Sequence, residues 1–590
     1  MQYYDPPTQE MRFVLEALNY EEEVASLEKF QDFDLETAMA IVDTMANIGV
    51  EKLLPLNQVG DEEGLEFDPE TGSVSLPDGF RDAYQTLVEA GVMGLTGPVE
   101  YGAAGAPEPL GICFTEIATA CNKSFSMCPG LNLGLADALD HHATEEQKEY
   151  YLEKLVTGEW TGTMCLTEPQ CGTDLGLLTT KAEPTGEQDD EYEISGTKIW
   201  ITFGDHNLTD NIIHFVLARL PDAPEGTRGI SAFVVPKIMD DGSRNDVYVT
   251  GLEEKMGIHA SPTCTMSFEG ATGYLVGEPH KGMRAMFTLM NMARLYVGIE
   301  GVGLGEISYQ TALAFAEERR QGRSLDKDKR QEDEDADSIL VHPDVRRLLL
   351  NVKSTTQGLR ALGLSVGIEV EKSRHHPDEE VRQKADDYVQ LITPLIKAFG
   401  TERGFENISD AMQVCGGAGY TKDWNIEQYM RDERIAMIYE GTNHVQALDL
   451  IGRKLPKDNG RLLRNFQERV MAETEACKEH DELEPLVEAF EKAAGRLMEV
   501  TMNLAQVGAE DPEEGAAVAS NYLNLLALVA LGHVWMQMAR HAIETDADDK
   551  ETRIKTANYF AEMILPETGL YKKLCEVGKD PMMDFEIDEF

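Results

Sequence analysis

Basic residues are scarce in this sequence. Its 590 residues include 52 lysines and arginines against 106 aspartates and glutamates, which gives a formal net charge of −54. Nucleic acids and anionic membrane surfaces attract positive charge, so this imbalance argues against either as a partner. The apolar fraction of 42%, recurring at regular spacings, is sufficient for a large core and excludes a mainly disordered chain.

Cysteine pairs and secretion signals are missing as well. The nine cysteines include no CxxC pair and match no zinc spacing, which predicts a reducing compartment and no metal site. The chain start has neither the basic nor the apolar region of a secretory signal. The most apolar stretch, 523–536, is broken by Asn524 and His533 and is too short to span a bilayer, so we predict a buried helix there. Together these absences predict a cytoplasmic protein.

The excess of acidic residues has two interpretations. In a soluble cytosolic protein, like-charge repulsion keeps the molecules apart. In a salty cytoplasm, ions screen that repulsion, and the acidic surface is an adaptation to salt. A salt-adapted protein is expected to lose stability on desalting, whereas an ordinary acidic protein is expected to melt alike in low and molar salt.

The pattern of apolar residues changes along the chain and predicts an α+β multidomain protein. Segments with helical periodicity come first, short β-branched or aromatic segments separated by Gly, Pro and Asp follow, and helical periodicity then returns. The predicted domains are an N-terminal α domain at 1–159, a middle β domain at 160–282, a C-terminal helical bundle at 283–455, and an extra C-terminal helical domain at 456–590. A Rossmann sheet does not fit, because the glycine-rich stretch 301–305 has no preceding strand and no βαβ unit around it.

Individual elements follow from the same periodicity and from capping residues. The predicted helices include 34–45, 82–90, 145–156, 283–320, 343–371, 378–399, 401–415 and 424–438. The predicted strands are 163–167, 192–202, 212–218, 230–235, 247–249 and 264–268. Four glycines inside the helix at 283–320 predict close packing against a neighbouring helix.

Three segments carry the residues best suited to chemistry. Segment 164–174 leaves a strand for a Gly/Pro loop, whose N–H groups and hydroxyls suit a polar ring or a thioester carbonyl. Segment 200–202 offers an indole face for a flat ring, with a hydroxyl beside it. Segment 413–420 is a glycine-rich turn that a pyrophosphate can approach, and the carboxylate of Glu440 follows at a helix end. Each segment alone has an ordinary structural explanation, so the indication of a site comes from their combined order and spacing.

In combination these segments resemble the acyl-CoA dehydrogenase family. The resemblance covers about residues 35 to 455 and depends on four motifs: Leu166-Thr167-Glu168-Pro169, Trp200-Ile201-Thr202, Gly416-Gly417-Ala418-Gly419-Tyr420 and Ile438-Tyr439-Glu440-Gly441-Thr442. It implies an N-terminal α domain, a middle β domain and a C-terminal helical bundle, in the order predicted above. It also implies FAD, bound without a Rossmann fold in a cleft between the β domain and the bundle.

The resemblance assigns roles to individual residues. Glu440 matches the catalytic base, which removes a proton from the carbon α to the thioester while hydride leaves the β carbon for the flavin. The residues that match the surroundings of the flavin ring are Leu166, Thr167, Thr173, Trp200, Thr202 and Thr442. The residues that match contacts to the FAD of a partner subunit are Arg319, Gln413, Gly416 and Gly417, so the resemblance implies at least a homodimer. The residues that match substrate contacts are Thr173, Asn291, Arg294 and Gly441.

Two positions depart from the family pattern. Asn291 stands where many members have Asp. Pro343 stands where many members have a Gln that also contacts FAD.

Segments outside these motifs resemble the 3-methylmercaptopropionyl-CoA dehydrogenase branch of the family. They are 3–15, 321–323, 342–347 and 559–568. The resemblance implies oxidation of 3-(methylthio)propanoyl-CoA, as in dimethylsulfoniopropionate degradation, with electrons passing to an electron-transfer flavoprotein. Three alternatives remain open: a straight-chain fatty acyl-CoA dehydrogenase of the same branch, an acyl-CoA oxidase that uses O2, and a non-catalytic acyl-CoA-binding protein. Residues 456–590 contain no recognisable catalytic cluster, so we expect them to stabilise the dimer or to cover the substrate.

Overall fold

The computed structural model describes residues 3–590 and divides into two compact units. Met1 and Gln2, the first residues of the predicted N-terminal domain, lie outside the described residues. The first unit comprises the chain through Asp43, Pro107–Glu116 and Arg294–Phe590. The second unit comprises Thr44–Ala106 and Ile117–Ala293. The four-domain division of the sequence stays a prediction.

The helices account for most of the chain. In chain order they are α1 Thr8–Ala17, α2 Leu35–Ile48, α3 Leu54–Glu63, α4 Phe80–Glu89, α5 Glu108–His142, α6 Glu145–Val156, α7 Gly282–Glu318, α8 Pro343–His375, α9 Glu379–Cys415, α10 Ile426–Glu433, α11 Asn443–Asp449, α12 Arg461–Cys477, α13 Glu484–Glu510, α14 Pro512–Glu544, α15 Lys550–Tyr559, α16 Glu567–Val577 and α17 Asp580–Met583.

Capping residues account for several predicted helix ends. The carboxylate of Asp34 accepts the Thr37 N–H at 2.8 Å and begins α2, as the sequence indicated. A capping box between Thr144 and Gln147 begins α6, which has the predicted bounds. The predicted helices at 82–90 and 283–320 are confirmed as α4 and α7, within two residues at each end.

The prediction that the helix at 378–399 ends before a second helix at 401–415 is wrong. The structure has one continuous helix, α9, with Gly400 inside it. A Cβ added to Gly301 of α7 would lie 2.5 Å from the Gly400 carbonyl oxygen, and one added to Gly404 would lie 2.5 Å from the Gly301 Cα. Glycines are therefore needed where the backbones of α7 and α9 approach each other, as was predicted for α7, and Gly400 does not mark a helix end.

The predicted helix at 424–438 is shorter than expected. The structure has α10 followed by a 3-10 turn at Arg434–Met437. This leaves residues 438–442 free to form a loop before α11.

The β-strands lie in the second unit. They are β1 Glu66–Asp68, β2 Ser73–Ser75, β3 Trp160–Cys165, β4 Lys181–Pro184, β5 Glu191–Thr202, β6 Asn211–Arg219, β7 Ile230–Pro236, β8 Val247–Leu252 and β9 Thr263–Val276. The six predicted strands are confirmed as β3 and β5–β9, whereas the hairpin β1–β2 and the short β4 were not predicted.

The larger sheet closes on itself. β6 pairs antiparallel with β7, β7 with β9, β9 with β5 and β5 with β4, and β4 returns to β6 through the parallel pair Lys181–Arg219. β3 pairs parallel with β6, and β8 pairs antiparallel with β9. Every residue of β7 is buried, as is typical of a strand covered on both faces. The result is a barrel-like β structure without a Rossmann βαβ unit.

α14 contains the apolar stretch predicted to be a buried helix. The helix is 33 residues long, so the apolar stretch predicted at 523–536 forms only part of it. By length and composition α14 could span a bilayer, because its most apolar 18 residues have a mean hydropathy of 1.5. However, 72% of these residues are buried inside the protein. Burial identifies α14 as a core helix of the first unit.

Candidate active site

The loop after β3, in the second unit, is a tight turn. The Glu168 and Cys171 backbones exchange hydrogen bonds, at 2.9 Å from the Glu168 N–H and 3.0 Å from the Cys171 N–H. The two residues between them, Pro169 and Gln170, are exposed. The turn therefore presents a fixed backbone at the end of a strand, which is the arrangement expected of a ligand-binding loop.

The Glu168 carboxylate holds this turn from the inside. It is buried and accepts hydrogen bonds from the N–H and hydroxyl of Thr179, at 2.7 and 2.8 Å, and from those of Thr180, at 3.0 and 2.6 Å. The fully buried Lys198 ammonium donates to Glu168 at 2.8 Å and to the Leu166 carbonyl at 2.9 Å. Desolvation opposes ionisation, but Lys198 and these donors lower the pKa of Glu168 to about 2. The loop is thus fixed by a permanently ionised carboxylate.

A β-bulge turns the Trp200 indole out of the sheet. The pairing of β5 with β9 shifts between Lys198 and Ile201, so that two residues of β5 oppose one of β9. Trp200 has a φ of +60° in this bulge and is 59% exposed. The Ile199 N–H donates to the Thr167 carbonyl at 2.9 Å and ties the bulge to the loop after β3. An exposed indole on a rigid support suits the stacking of a flat ring.

The predicted flavin-contact residues of the second unit share this region. Thr167 and Thr202 are partly buried, Thr173 is exposed, and Leu166 is buried beneath the turn. Asn291, a predicted substrate contact of the same unit, is exposed on α7. The exposed Trp200 indole and the accessible threonine hydroxyls, on a loop held by the Glu168 carboxylate, fit the isoalloxazine that the resemblance implies.

In the first unit, Glu440 lies on a strained loop between the 3-10 turn and α11. Glu440 and Gly441 both have left-handed backbones, with φ values of +57° and +82°. Non-glycine residues adopt this conformation in only a few per cent of cases, and it costs about 1 to 3 kcal/mol. The Thr442 hydroxyl accepts the Val445 N–H at 3.3 Å and caps α11. The strain is held in place because the loop is anchored at both ends.

The anchors of this loop are a tyrosine and an asparagine. The Tyr439 hydroxyl donates to Glu300 of α7 at 2.5 Å. The Asn443 amide donates to the Ala398 carbonyl of α9 at 3.1 Å and accepts from the Lys397 ammonium at 3.0 Å. Glu440 is therefore presented between α7 and α9.

The surroundings of Glu440 favour a proton acceptor that works near neutral pH. Desolvation is the largest influence and raises the pKa of Glu440 to about 7, with a smaller contribution from the negative charge of Glu300. Arg294 and Lys397 oppose this rise through their positive charges. A carboxylate with a pKa near the working pH is suited to general base catalysis.

Two buried polar atoms beside the loop are available to bind a ligand. Within residues 3–590, Arg294 Nε and Gln446 Oε1 have no hydrogen-bond partner, although both residues are buried. The Gln446 amide donates to the carbonyls of Glu440 and Gly441 at 3.3 and 3.2 Å. A Cβ on Gly441 would lie 2.8 Å from the Gln446 amide nitrogen and 3.8 Å from an Arg294 guanidinium nitrogen. Position 441 therefore requires glycine, because a side chain there would crowd Gln446, and its backbone lies close to the Arg294 guanidinium.

The glycine-rich turn lies at the C-terminal end of α9. Gly416 has a φ of +56°, and a Cβ on Gly416 or Gly417 would meet nothing within 4 Å. Gln413 is exposed one helical turn earlier. Arg319, just beyond α7, is exposed, and among the described residues its guanidinium makes no hydrogen bond and no ion pair. The Phe315 and Trp424 rings, 5.0 Å apart, join the end of α7 to the segment after this turn. The open backbone and the unpaired guanidinium fit the pyrophosphate of an FAD.

Apart from Asn291 on α7, the predicted site residues lie in three regions of the fold. They are Leu166, Thr167, Thr173, Trp200 and Thr202 in the second unit; Arg294, Glu440, Gly441 and Thr442 in the first; and Arg319, Gln413, Gly416 and Gly417 at the ends of α7 and α9. Pro343 takes the first position of α8, where its missing N–H costs nothing.

Sequence reasoning did not identify the buried charges that support these groups. They are Glu168, Lys198, Glu300 and Lys397. A signal for Lys397 does exist, because it is a single cation within an apolar helical stretch, 391–399. The anchoring residues Asn443 and Gln446 carry no such signal.

Models of acyl-CoA dehydrogenase domains match nearly the whole chain. The N-terminal domain model matches residues 35–159, the middle domain model 163–271 and the C-terminal domain model 280–455. A fourth model, described as acetyl-CoA dehydrogenase C-terminal like, matches residues 466–586.

Two relatives and one solved structure align over most of their lengths. The chain is 39% identical to the 3-methylmercaptopropionyl-CoA dehydrogenase of Ruegeria pomeroyi, over 98% of each chain. It is 31% identical to the broad-specificity linear acyl-CoA dehydrogenase FadE5 of Mycobacterium tuberculosis, over 95% of each chain. The crystal structure of an acyl-CoA dehydrogenase complexed with FAD from Bacillus anthracis, 24% identical, matches with a TM-score of 0.75 over 93% of this chain and 89% of that one, which shows the same fold. The chain belongs to the acyl-CoA dehydrogenase family and is an oxidoreductase that acts on CH–CH groups.

Proposed function

We propose that the protein removes the α and β hydrogens of an acyl-CoA thioester, with Glu440 as the base. Like its family, it uses FAD, which when bound accepts the hydride from the β carbon. The observation that best supports Glu440 is its place on a strained, doubly anchored loop with a pKa raised to about 7. A base in this state is half ionised at neutral pH and accepts the α proton readily.

The other residues of the candidate site bind and orient the cofactor and the thioester. Trp200, Thr167 and Thr202 are suited to hold the flavin ring, and Gly416 and Gly417 to approach a pyrophosphate. The buried Arg294 beside Gly441 places a positive charge where the thioester is to be fixed against Glu440. Exclusion of water by an acyl chain raises the proton affinity of the carboxylate further.

We propose 3-(methylthio)propanoyl-CoA as the substrate and an electron-transfer flavoprotein as the acceptor. The support for the substrate is the similarity, over almost the full length, to the Ruegeria pomeroyi enzyme. The similarity to the Mycobacterium tuberculosis enzyme favours a second candidate, a linear acyl-CoA without sulfur. The acceptor is proposed from the family resemblance.

The test is anaerobic mixing of the FAD-loaded protein with acyl-CoA thioesters while the flavin absorbance is recorded. Pentanoyl-CoA is the matched control, because it replaces the sulfur of 3-(methylthio)propanoyl-CoA by CH2 at the same chain length. Faster bleaching by the sulfur compound supports the proposed substrate, and equal or faster bleaching by pentanoyl-CoA supports the linear alternative. No bleaching by either, or by shorter and longer thioesters, contradicts the proposed reaction and supports a binding protein.

Reoxidation of the bleached flavin distinguishes the acceptors. Slow reoxidation in air and fast reoxidation by an electron-transfer flavoprotein are expected. Rapid peroxide formation without that partner would identify an oxidase instead.

We also propose a cytoplasmic protein that is at least a homodimer. The proposal of a dimer is supported by the exposed and unpaired Arg319, whose family counterpart contacts the FAD of a partner. Light scattering of the FAD-loaded protein tests it, and a monomer of 65.5 kDa would contradict it.

A further inference from the structure

Lys397 is a buried cation without a buried counter-ion in contact. Its side chain is fully inaccessible on α9. Among the described residues its ammonium makes one hydrogen bond, to the Asn443 side-chain oxygen at 3.0 Å, and no ion pair. An ammonium removed from water in this way is costly unless nearby negative charge compensates it. The position of Lys397 therefore requires an explanation other than stability.

The partner of Lys397 belongs to the loop that carries Glu440. Asn443 follows Glu440 by three residues, and its amide also donates to Thr401 and Glu402 of α9, at 3.1 and 3.2 Å. The end of the loop is therefore fixed to α9, with the ammonium of Lys397 inside the fixed region. The other end is fixed to α7 through Tyr439 and Glu300. The Lys397 ammonium is thus bonded to one end of the loop that carries Glu440, and among the described residues no hydrogen bond or ion pair joins it to the Glu440 carboxylate.

The charged groups that act on the Glu440 carboxylate lie on two helices, α7 and α9. α7 contributes Arg294 and Glu300, α9 contributes Lys397, and Tyr439 of the loop itself is neutral because burial holds its pKa well above the usual range. The negative charges that act on Lys397 are, in order, those of Glu440, Glu300 and, at the end of α10, Glu433. Glu440 is thus the foremost electrostatic partner of this buried cation.

We propose that Lys397 is a positioning residue of the reaction: its buried ammonium, fixed by Asn443, favours the ionised form of the Glu440 carboxylate against the desolvation of its site. The inference depends on Glu440 being the base. Desolvation lowers the pKa of Lys397 to about 8, so the ammonium keeps its charge at the pH where Glu440 must accept a proton. Arg294 assists, but its burial next to Gly441 places it on the substrate side of the loop.

The test is the pH dependence of substrate-induced flavin bleaching in the FAD-loaded Lys397→Met variant. Methionine preserves the apolar stem and removes the charge. An opposite charge within about 4 to 6 Å lowers a carboxyl pKa by about 1 to 3 units, and for a charge that makes no direct contact we take the lower part of that range. The acid limb is the part of the pH–rate profile in which the bleaching rate rises with pH. We therefore expect the acid limb of the variant to lie about 1 to 2 pH units higher. Its bleaching rate is then roughly 5- to 50-fold lower at pH 7 and returns to the original rate near pH 9.5. Lys397→Arg, which restores the charge, is expected to return the limb toward its original position.

If Lys397→Met lowers the bleaching rate equally at every pH and the acid limb does not move, the inference is overturned and the role of Lys397 is structural. Glu300→Gln is the second variant, for the case that Lys397→Met does not retain FAD. It removes a negative charge but preserves an acceptor for the Tyr439 hydroxyl, so the limb is expected to move down, and an unmoved limb would again argue against charge control of the base.

The failure of this inference is distinguishable from the failure of the proposed function. If Glu440→Gln retains turnover, the base has been misassigned. If Glu440→Gln is inactive and neither Lys397→Met nor Glu300→Gln moves the acid limb, the assignment of Glu440 as the base is retained and only the role of Lys397 is refuted.

Discussion

Replacement of Glu168 by glutamine is expected to destabilise the second unit and to loosen the loop after β3. For this buried carboxyl alone, the fall in its pKa from 4.5 to about 2 corresponds to about 3 kcal/mol, since each pKa unit is worth about 1.4 kcal/mol. Desolvation lowers the pKa of Lys198 and offsets part of this gain. The pKa is lowered in the folded protein, so this contribution is complete above pH 4.5 and is lost as the pH falls toward 2. The glutamine has the same shape but leaves the Lys198 ammonium buried without a negative partner.

A double-mutant cycle with Lys198→Met measures the interaction directly. The free energy of unfolding is obtained from urea titrations followed by circular dichroism at pH 7, and FAD release is followed by flavin fluorescence. Each single variant is expected to lose about 3 kcal/mol, and the double variant little more than either one, because no unpaired charge then remains. Glu183→Gln, on the exposed side of β4, is the matched control and should change stability by less than about 0.5 kcal/mol. Additive single effects, or a Glu168→Gln cost equal to that of the control, would refute the reasoning.

Three further outcomes are expected. Glu440→Gln should retain FAD but lose dehydrogenation by roughly 100- to 10,000-fold, the usual contribution of a general base, while the rate of the unaltered protein rises with pH through about 7; near-normal turnover of the variant would point to another carboxylate. Arg319→Ala should weaken FAD retention, measured by the ratio of flavin to protein absorbance after gel filtration, and full occupancy would reject its role. With a net charge of −54, the protein should melt at higher temperature in molar KCl than in dilute buffer if its surface is adapted to salt, and equal melting temperatures would exclude that adaptation.

Local sequence signals predicted the elements whose ends depend on neighbouring residues. Asp34 and the Thr144–Gln147 pair define helix starts through bonds that span three residues, so they act wherever the helix is placed. The same local reasoning failed at Gly400. A glycine usually weakens a helix, but here it is required by the approach of a helix about 100 positions away in the chain.

The strands that the sequence predicts are those rich in β-branched and apolar residues, which are the buried ones. β6 and β7 are covered on both faces, and their sequences clearly indicate strands. β4 is short and polar and ends in a proline, so its sequence favours a loop, and it becomes a strand only because β5 and β6 supply pairing partners.

For the candidate site, motifs identified the residues that face a ligand but not those that tune them. The loop with Glu440 and the bulge with Trp200 have recognisable sequences. The Tyr439–Glu300 hydrogen bond joins residues 139 positions apart, and the Lys198–Glu168 pair joins residues 30 apart. No local pattern specifies such pairings, because each is set by how the helices and strands pack.

Composition and short-range periodicity are enough to predict the excess of acidic residues, the order of helical and β segments, and the carboxylate available as a base. The outward direction of the Trp200 side chain follows only from the fold, because it results from a mismatch in pairing between two strands. The pKa of Glu440, raised to about 7, depends on the fold as well, because desolvation and the charges of Arg294, Lys397 and Glu300 act on this carboxylate only after α7 and α9 have packed around its loop.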